Sequence, residues 1–245
     1  MTTLILVSIA TLISTFVGGL FAMRFKDKLH IILGFSAGAV IAVAFFDLIP
    51  EAIEIGSKYY SISTLLTMVA LGFIIYLVLD RTIFLHGHEH EGENGEMKVV
   101  HKNGLLGAST LCIHSLFDGM AIGFAFQVST AIGVVVAIAV LVHDFSDGIN
   151  TVNYILKDRE EKSNVLYWLI ADAFAPVVGI VITLFVTVGE QYLAIIFSLF
   201  AGFFLYLGAS DLIPESHHAH PKFMTTFMTL LGVIILFIVI QLSQL

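Results

Sequence analysis

Apolar runs long enough to cross a bilayer recur eight times along the chain, separated by short polar breaks. About 20 apolar residues cover the hydrocarbon core as a helix. The runs fall at about 3–23, 30–50, 62–84, 104–127, 131–156, 164–188, 191–213 and 222–243. The pattern predicts an all-α integral membrane protein of eight transmembrane helices, with one membrane domain spanning residues 1–245. No basic residue precedes the first run, and it is longer than the apolar core of a signal peptide, so it reads as a span rather than a cleaved leader. Between the fourth and fifth runs, Gln127-Val-Ser-Thr130 leaves room only for an antiparallel helical hairpin.

The runs also repeat. Asp47-Leu-Ile-Pro50-Glu51 closes the second, and Asp211-Leu-Ile-Pro214-Glu215 closes the seventh. Spans two and seven cross the membrane in opposite directions, so the repeat is inverted. The expected architecture sets helices 1–3 against helices 6–8 around a central hairpin of helices 4 and 5. Many secondary transporters are built this way, with the substrate site near the midplane.

Composition agrees with the pattern. Hydrophobic residues make up 58% of the chain and charged residues 12%, with a mean hydropathy of +0.98. Soluble domains carry roughly twice that share of charge. A net charge of -8 excludes nucleic acid as a partner, because phosphate binding needs clustered Lys and Arg. The single cysteine, Cys112, excludes an intramolecular disulfide framework and reads as packing.

The basic residues set an orientation. Arg24, Lys26, Lys28, Arg81, Lys98, Lys102, Lys157, Arg159, Lys162 and Lys222 all fall at odd-numbered connections, and only Lys58 falls at an even-numbered one. By the positive-inside rule, odd connections are cytoplasmic and both termini lie outside. The expected location is a plasma or inner membrane. The one long polar connection, residues 85–103, is then a flexible cytoplasmic loop. It carries His86, His88, His90 and His101 among Glu89, Glu91, Glu93 and Glu96, a composition suited to loose metal capture.

The chemistry concentrates in the middle of the chain. The fourth helix holds His114-Ser115-Leu-Phe-Asp118-Gly119, and the fifth holds His143-Asp144-Phe-Ser-Asp147-Gly148. A spacing of i, i+4 puts His and Asp one turn apart on the same helix face. The hairpin brings both pairs to one depth. The sixth helix adds Asp172, followed by Pro176, whose ring opens the helix backbone. Each ionised Asp at the bilayer centre costs about 2.5–3.5 kcal/mol, so Asp118, Asp144, Asp147 and Asp172 together cost on the order of 10 kcal/mol. No Lys or Arg lies in the interior of a span to offset them; Arg81 and Lys222 fall at span ends. A bound cation is the remaining source of counter-charge. Mixed imidazole and carboxylate ligands select zinc, iron(II), manganese or cobalt over sodium, calcium or magnesium.

At these residues the sequence resembles the ZIP family of zinc- and iron-regulated metal transporters. HSLFDGMAIG is similar to the family's fourth-helix signature, HDFSDG to its fifth, and the two DLIPE motifs to its second and seventh helices. The resemblance implies a binuclear site, with His114, Asp118 and Asp147 holding the central metal and His143 nearby. Ser115 and Asp144 would belong to a neighbouring second site, bridged by Asp118 and Asp147. The sequence departs from the family where Ala175, rather than Glu, precedes Pro176, and where Ser115 replaces an Asn found in some members. Asp172 is expected to substitute from the same face, and the departure weakens the second site.

The expected function is transport of a divalent transition metal toward the cytoplasm by alternating access. Zinc is the first choice; iron, manganese and cadmium are also admitted. The metal is substrate and no resident cofactor is expected. Asp47, Glu51, Asp211 and Glu215 would stand at the two mouths. The partners are metal ions and the lipid bilayer, and a homodimer is admitted. The competing readings are a membrane-embedded metal hydrolase, for which no H-E-x-x-H motif is present, and a metal-sensing receptor driven by the loop.

Overall fold

The computed structural model describes residues 2–24, 29–84, 90–91, 97–98, 104–157, 162–217 and 223–243. Eight helices among them are long and apolar enough to span a membrane. We label them α1 (Thr2–Arg24), α2 (Leu29–Val43, a π-helical turn Ala44–Leu48, then Ile49–Gly56), α3 (Ile62–Phe84), α4 (Gly104–Val128), α5 (Thr130–Lys157), α6 (Lys162–Leu184), α7 (Glu190–Tyr206, a π-helical turn Leu207–Leu212, then Ile213–His217) and α8 (Phe223–Ser243). At 23 residues, α1 is roughly 34 Å long, enough to cross the hydrocarbon core. The α4–α5 hairpin is as tight as the sequence requires, with Ser129 alone between the helices.

Only four residues of the polar connection are described, as a minimal antiparallel ladder of β1 (His90–Glu91) and β2 (Met97–Lys98). His86, His88 and His101 lie outside the described residues. So does the side chain of His90.

The structure corrects one boundary. The sequence reading ended the second and seventh helices at the DLIPE motifs, but both helices continue beyond Pro50 and Pro214. Pro50 lacks an N–H, and its ring crowds the carbonyl one turn back. Just before it, the backbone widens: the Ile49 N–H bonds to the Ala44 carbonyl, five residues earlier. Ile213 bonds to the Gly208 carbonyl in the same way ahead of Pro214. A π-turn lets a helix absorb the proline and continue. Asp47 and Asp211 therefore sit within widened turns rather than at helix ends. Asp47 is only 4% exposed.

Two four-helix groups emerge from the packing. In one, α1 packs on α5, α6 on α4, and α4 on α5; in the other, α8 packs on α2 and α3 on α7. The main seam between them runs where α2 meets α5. There the Ser36 hydroxyl donates to the Val142 carbonyl at 3.0 Å and lies 2.9 Å from the Ser146 hydroxyl.

Four of these helix pairs, all but α4 on α5, are each built on a reciprocal pair of glycines. Gly18 abuts the Phe145 backbone while Gly148 abuts that of Thr15, and Gly179 abuts Leu116 while Gly119 abuts Pro176. Gly38 abuts Thr229 and Gly232 abuts Phe35; Gly202 abuts Val69 and Gly72 abuts Leu199. A Cβ at any of these eight positions would overlap a backbone carbonyl of the facing helix. In lipid, where apolar surface alone gives little drive for association, such close backbone approach holds helices together. The pairs also define the repeat. The α1–α5 contact matches α6–α4, and the α2–α8 contact matches α7–α3, with a constant register along each helix. The inverted repeat of helices 1–3 and 6–8 around the α4–α5 hairpin is thus written in the packing.

Gly119→Leu is expected to unseat α6 from α4 and to abolish cooperative thermal unfolding of the detergent-solubilised protein. At Gly189, where the nearest atom to an added Cβ is 3.9 Å away, Ala should leave the unfolding temperature unchanged.

Candidate metal centre

The i, i+4 spacing operates on both helices of the hairpin. His114 and Asp118 share a face of α4, and His143 and Asp147 share a face of α5, with each Asp preceding one of the close-approach glycines. The glycines draw α4 against α6 and α5 against α1. The short hairpin fixes the depth of the two helices relative to each other. All four side chains are buried, none more than 4% exposed.

His114, Asp118, His143 and Asp147 each offer one ligand atom, all within 4.8 Å of one another. His114 Nε2 lies 3.1 Å from Asp118 Oδ2 and 3.7 Å from Asp147 Oδ2, and His143 Nε2 lies 3.2 Å from Asp118 Oδ2. A tetrahedral metal with bonds of about 2.0–2.1 Å separates its ligand atoms by roughly 3.3 Å. The observed spacings bracket that edge.

Direction matters as much as distance. Although His114 Nε2 is 3.1 Å from a carboxylate oxygen, it makes no hydrogen bond; nor does Asp147 Oδ2, and both atoms are buried. Buried polar atoms are nearly always paired. Here His114 Nε2 and Asp147 Oδ2 are left unpaired beside a hydrogen bond of 3.2 Å between His143 Nε2 and Asp118 Oδ2, and all four side chains face one shared space.

Both imidazoles are held from behind. His143 Nδ1 donates to the Ala139 carbonyl at 3.0 Å, one turn back on α5. His114 Nδ1 lies 3.2 Å from the hydroxyl of Tyr76 on α3. Outer contacts of this kind fix the ring and its tautomer and turn Nε2 toward the other candidate side chains.

The remaining candidates separate. Asp172 has both oxygens occupied, accepting from the Ser115 hydroxyl and from the Thr151 hydroxyl at 2.8 Å each. Ser115 thus faces Asp172 and stands outside the group of four. Asp144 is fully buried, and neither of its oxygens has a hydrogen-bond partner. Asp47 leaves Oδ2 buried without a hydrogen bond. Glu51 and Asp211 are half-buried, and the side chain of Glu215 lies outside the described residues.

Tyr76 and Thr151 escaped the sequence reading. Thr151 stands four residues after Asp147 and so shares its face, a readable signal. Tyr76 is one aromatic in an apolar span, and only the fold reveals its role.

A helical membrane protein with inverted halves and a buried imidazole–carboxylate cluster in its central hairpin belongs to the class of metal-ion transporters. The comparisons make this specific. The family model described as ZIP zinc transporter matches residues 86–240, and the chain belongs to that family. Zinc transporter ZupT of Corynebacterium aurimucosum is 22% identical over 220 residues, covering 83% of each chain. Zinc transporter YKE4 of Saccharomyces cerevisiae is 25% identical over 64% of this chain and 49% of its own. Mouse zinc transporter ZIP4 is 29% identical over 42% of this chain, which spans only 16% of that relative. All three are named as transporters rather than enzymes, and membership supports transport of a divalent metal, with the ion as substrate rather than cofactor.

Thr151→Val removes one of the two donors to Asp172 and leaves Oδ2 buried without a partner. The expected loss is about 1–3 kcal/mol, read as a lowered denaturation midpoint in detergent.

Proposed function

We propose that the protein carries zinc toward the cytoplasm by alternating access, binding one ion through His114, Asp118, His143 and Asp147. The observation that carries this reading is the convergence of one ligand atom from each of those four side chains within 4.8 Å, with His114 Nε2 and Asp147 Oδ2 buried and unpartnered. Two carboxylates and two neutral imidazoles balance the charge of one divalent ion, so the loaded site is neutral. In a low-dielectric interior, neutrality decides which ion can stay.

The two helix groups supply the moving parts. The group of α1, α4, α5 and α6 holds the ligands, and the group of α2, α3, α7 and α8 faces them across a seam. Displacement of one group against the other would open the site to either side in turn. The ten-to-one bias of basic residues supports termini outside and the connection 85–103 in the cytoplasm. There its histidines would capture arriving metal. Asp47, buried in the widened turn of α2, and Asp211, its counterpart in α7, would pass the ion to and from the midplane.

Asp144 deepens the site. A fully buried carboxylate with no hydrogen-bond donor, next in sequence to His143, has need of a cation. It would hold a second ion less firmly than the first, since Asp172 is engaged by Ser115 and Thr151. These two hydroxyls give Asp172 a supporting rather than a ligating place.

Purified protein in liposomes tests the site. Asp118→Ala should lower zinc flux at least 100-fold while the unfolding transition in detergent persists; undiminished flux would refute the assignment. Deleting residues 86–101 separates transporter from receptor. We expect flux to remain within about threefold of the intact chain, since the loop lies outside the spans, whereas a loop-driven receptor would lose its response entirely.

A further inference from the structure

The inverted repeat makes the two halves of the metal centre directly comparable. His114 and His143 occupy equivalent positions, five residues before Gly119 and Gly148, and those glycines make matching contacts. Yet the two imidazoles are supported differently. His143 is held by the carbonyl of Ala139, on its own helix. His114 is held by Tyr76, on a helix of the opposite group. Gly72 and Gly232 are equivalent, and four residues beyond them stand Tyr76 in α3 and Leu236 in α8. Where one half offers a phenol, the other offers an alkyl chain. The hydrogen bond to His114 therefore breaks the symmetry of the fold.

Tyr76 is fixed by its own group. Its ring packs against Phe203 and Tyr206 of α7, with centroids 5.6 and 5.2 Å away. It meets the His114 ring edge-on at 5.5 Å. An apolar crevice of about 100 Å³ opens beside the pair, bordered by Ile113 and Phe117 of α4 and by Leu79 and Phe203 of the facing group. The contact thus lies on the seam between the groups, with little packed material to bridge it if they part.

We propose that Tyr76 is a positioning residue that aims His114 at the metal only while α3 stands against α4, so that the relative position of the two helix groups sets the affinity of the site. With Nε2 committed to the ion, Nδ1 carries the hydrogen and the Tyr76 oxygen accepts it. When the groups part, this acceptor leaves with α3, and His114 is freed to rotate. His143 keeps its support in every arrangement because donor and acceptor ride on one helix. The site then holds its ion by four ligands in one state and by three well-aimed ligands in the other, which favours release. This rests on the reading that the groups move relative to each other during transport of a metal held by these four residues.

The test is a double-mutant cycle on the intact protein, with zinc as the probe. Zinc dissociation constants are measured by chelator competition for wild type, Tyr76→Phe, His114→Ala and the double variant, with Asp118→Ala as the control for the site. Outer-shell partners of metal-bound histidines are typically worth 10–100-fold in affinity. Tyr76→Phe should weaken zinc binding about 10-fold, and the effect should vanish when His114 is already Ala. In liposomes, KM should rise by a similar factor while maximal flux stays within about twofold. Unchanged affinity in Tyr76→Phe, or an equal loss with and without His114, would overturn the proposal. A fall in maximal flux at constant KM would do the same, marking loss of folded protein instead. If Asp118→Ala leaves zinc binding intact, the four-residue site itself is wrong, a separate outcome.

Discussion

The described structure is arranged around buried carboxylates with no Lys or Arg buried beside them. Asp47, Asp118, Asp144, Asp147 and Asp172 are all buried, and no Lys or Arg is buried among the described residues. A charge taken out of water is tolerated only when it is paired and hydrogen-bonded. The helix bundle could have met that demand with a buried arginine, as many soluble cores do. A fixed partner would neutralise the site permanently. Leaving the counter-charge to a mobile ion, as proposed above, would make the site a place of exchange, and the tight packing around it would keep the carboxylates from relaxing toward lipid or water.

The glycine pairs show how that rigidity is achieved without polar glue. Four helix contacts each bring backbone to within van der Waals range of backbone, and in each the approach is reciprocal. Such contacts fix rotation as well as distance, because a glycine is needed at one angle of each helix only. The ligand faces of α4 and α5 are thereby set by their outer neighbours, α6 and α1, on the opposite side from the seam. The repeat doubles this scaffold faithfully but does not double the chemistry. Ser115 in α4 corresponds to Asp144 in α5, and Tyr76 in α3 to Leu236 in α8. A symmetric frame with unequal side chains can bias one arrangement over its mirror counterpart.

The sequence carried the spans, the hairpin, the repeat and the nearness of the four central side chains, because each has a local signature: length of an apolar run, a missing loop, a repeated pentad, an i, i+4 spacing. It misplaced the DLIPE motifs. A proline after an apolar run ordinarily marks a stop, and nothing local distinguishes a helix that ends from one that widens by a single residue and continues. The reciprocal glycines were visible as letters but not as partners, since partnership is a property of two helices far apart in the chain. For the same reason the family resemblance groups Ser115 with Asp144, whereas its hydroxyl donates to Asp172 on α6.

That last exchange shows two ways of living with a buried carboxylate. Asp172 accepts from two hydroxyls, Ser115 and Thr151, and is satisfied by the protein alone. Asp144 and Asp147 are not: their unpartnered oxygens have no donor within reach. A satisfied carboxylate holds its rotamer whether or not an ion is present, so it can brace α4, α5 and α6 together from behind. An unsatisfied one is stable only when something arrives to pair with it. Bracing must not vary through a transport cycle, whereas binding must, and on the proposed reading the hydroxyl donors give Asp172 to bracing and leave Asp144 and Asp147 for binding. Had Thr151 and Ser115 faced the central ligands, the empty site would be comfortable and the ion would have little to offer.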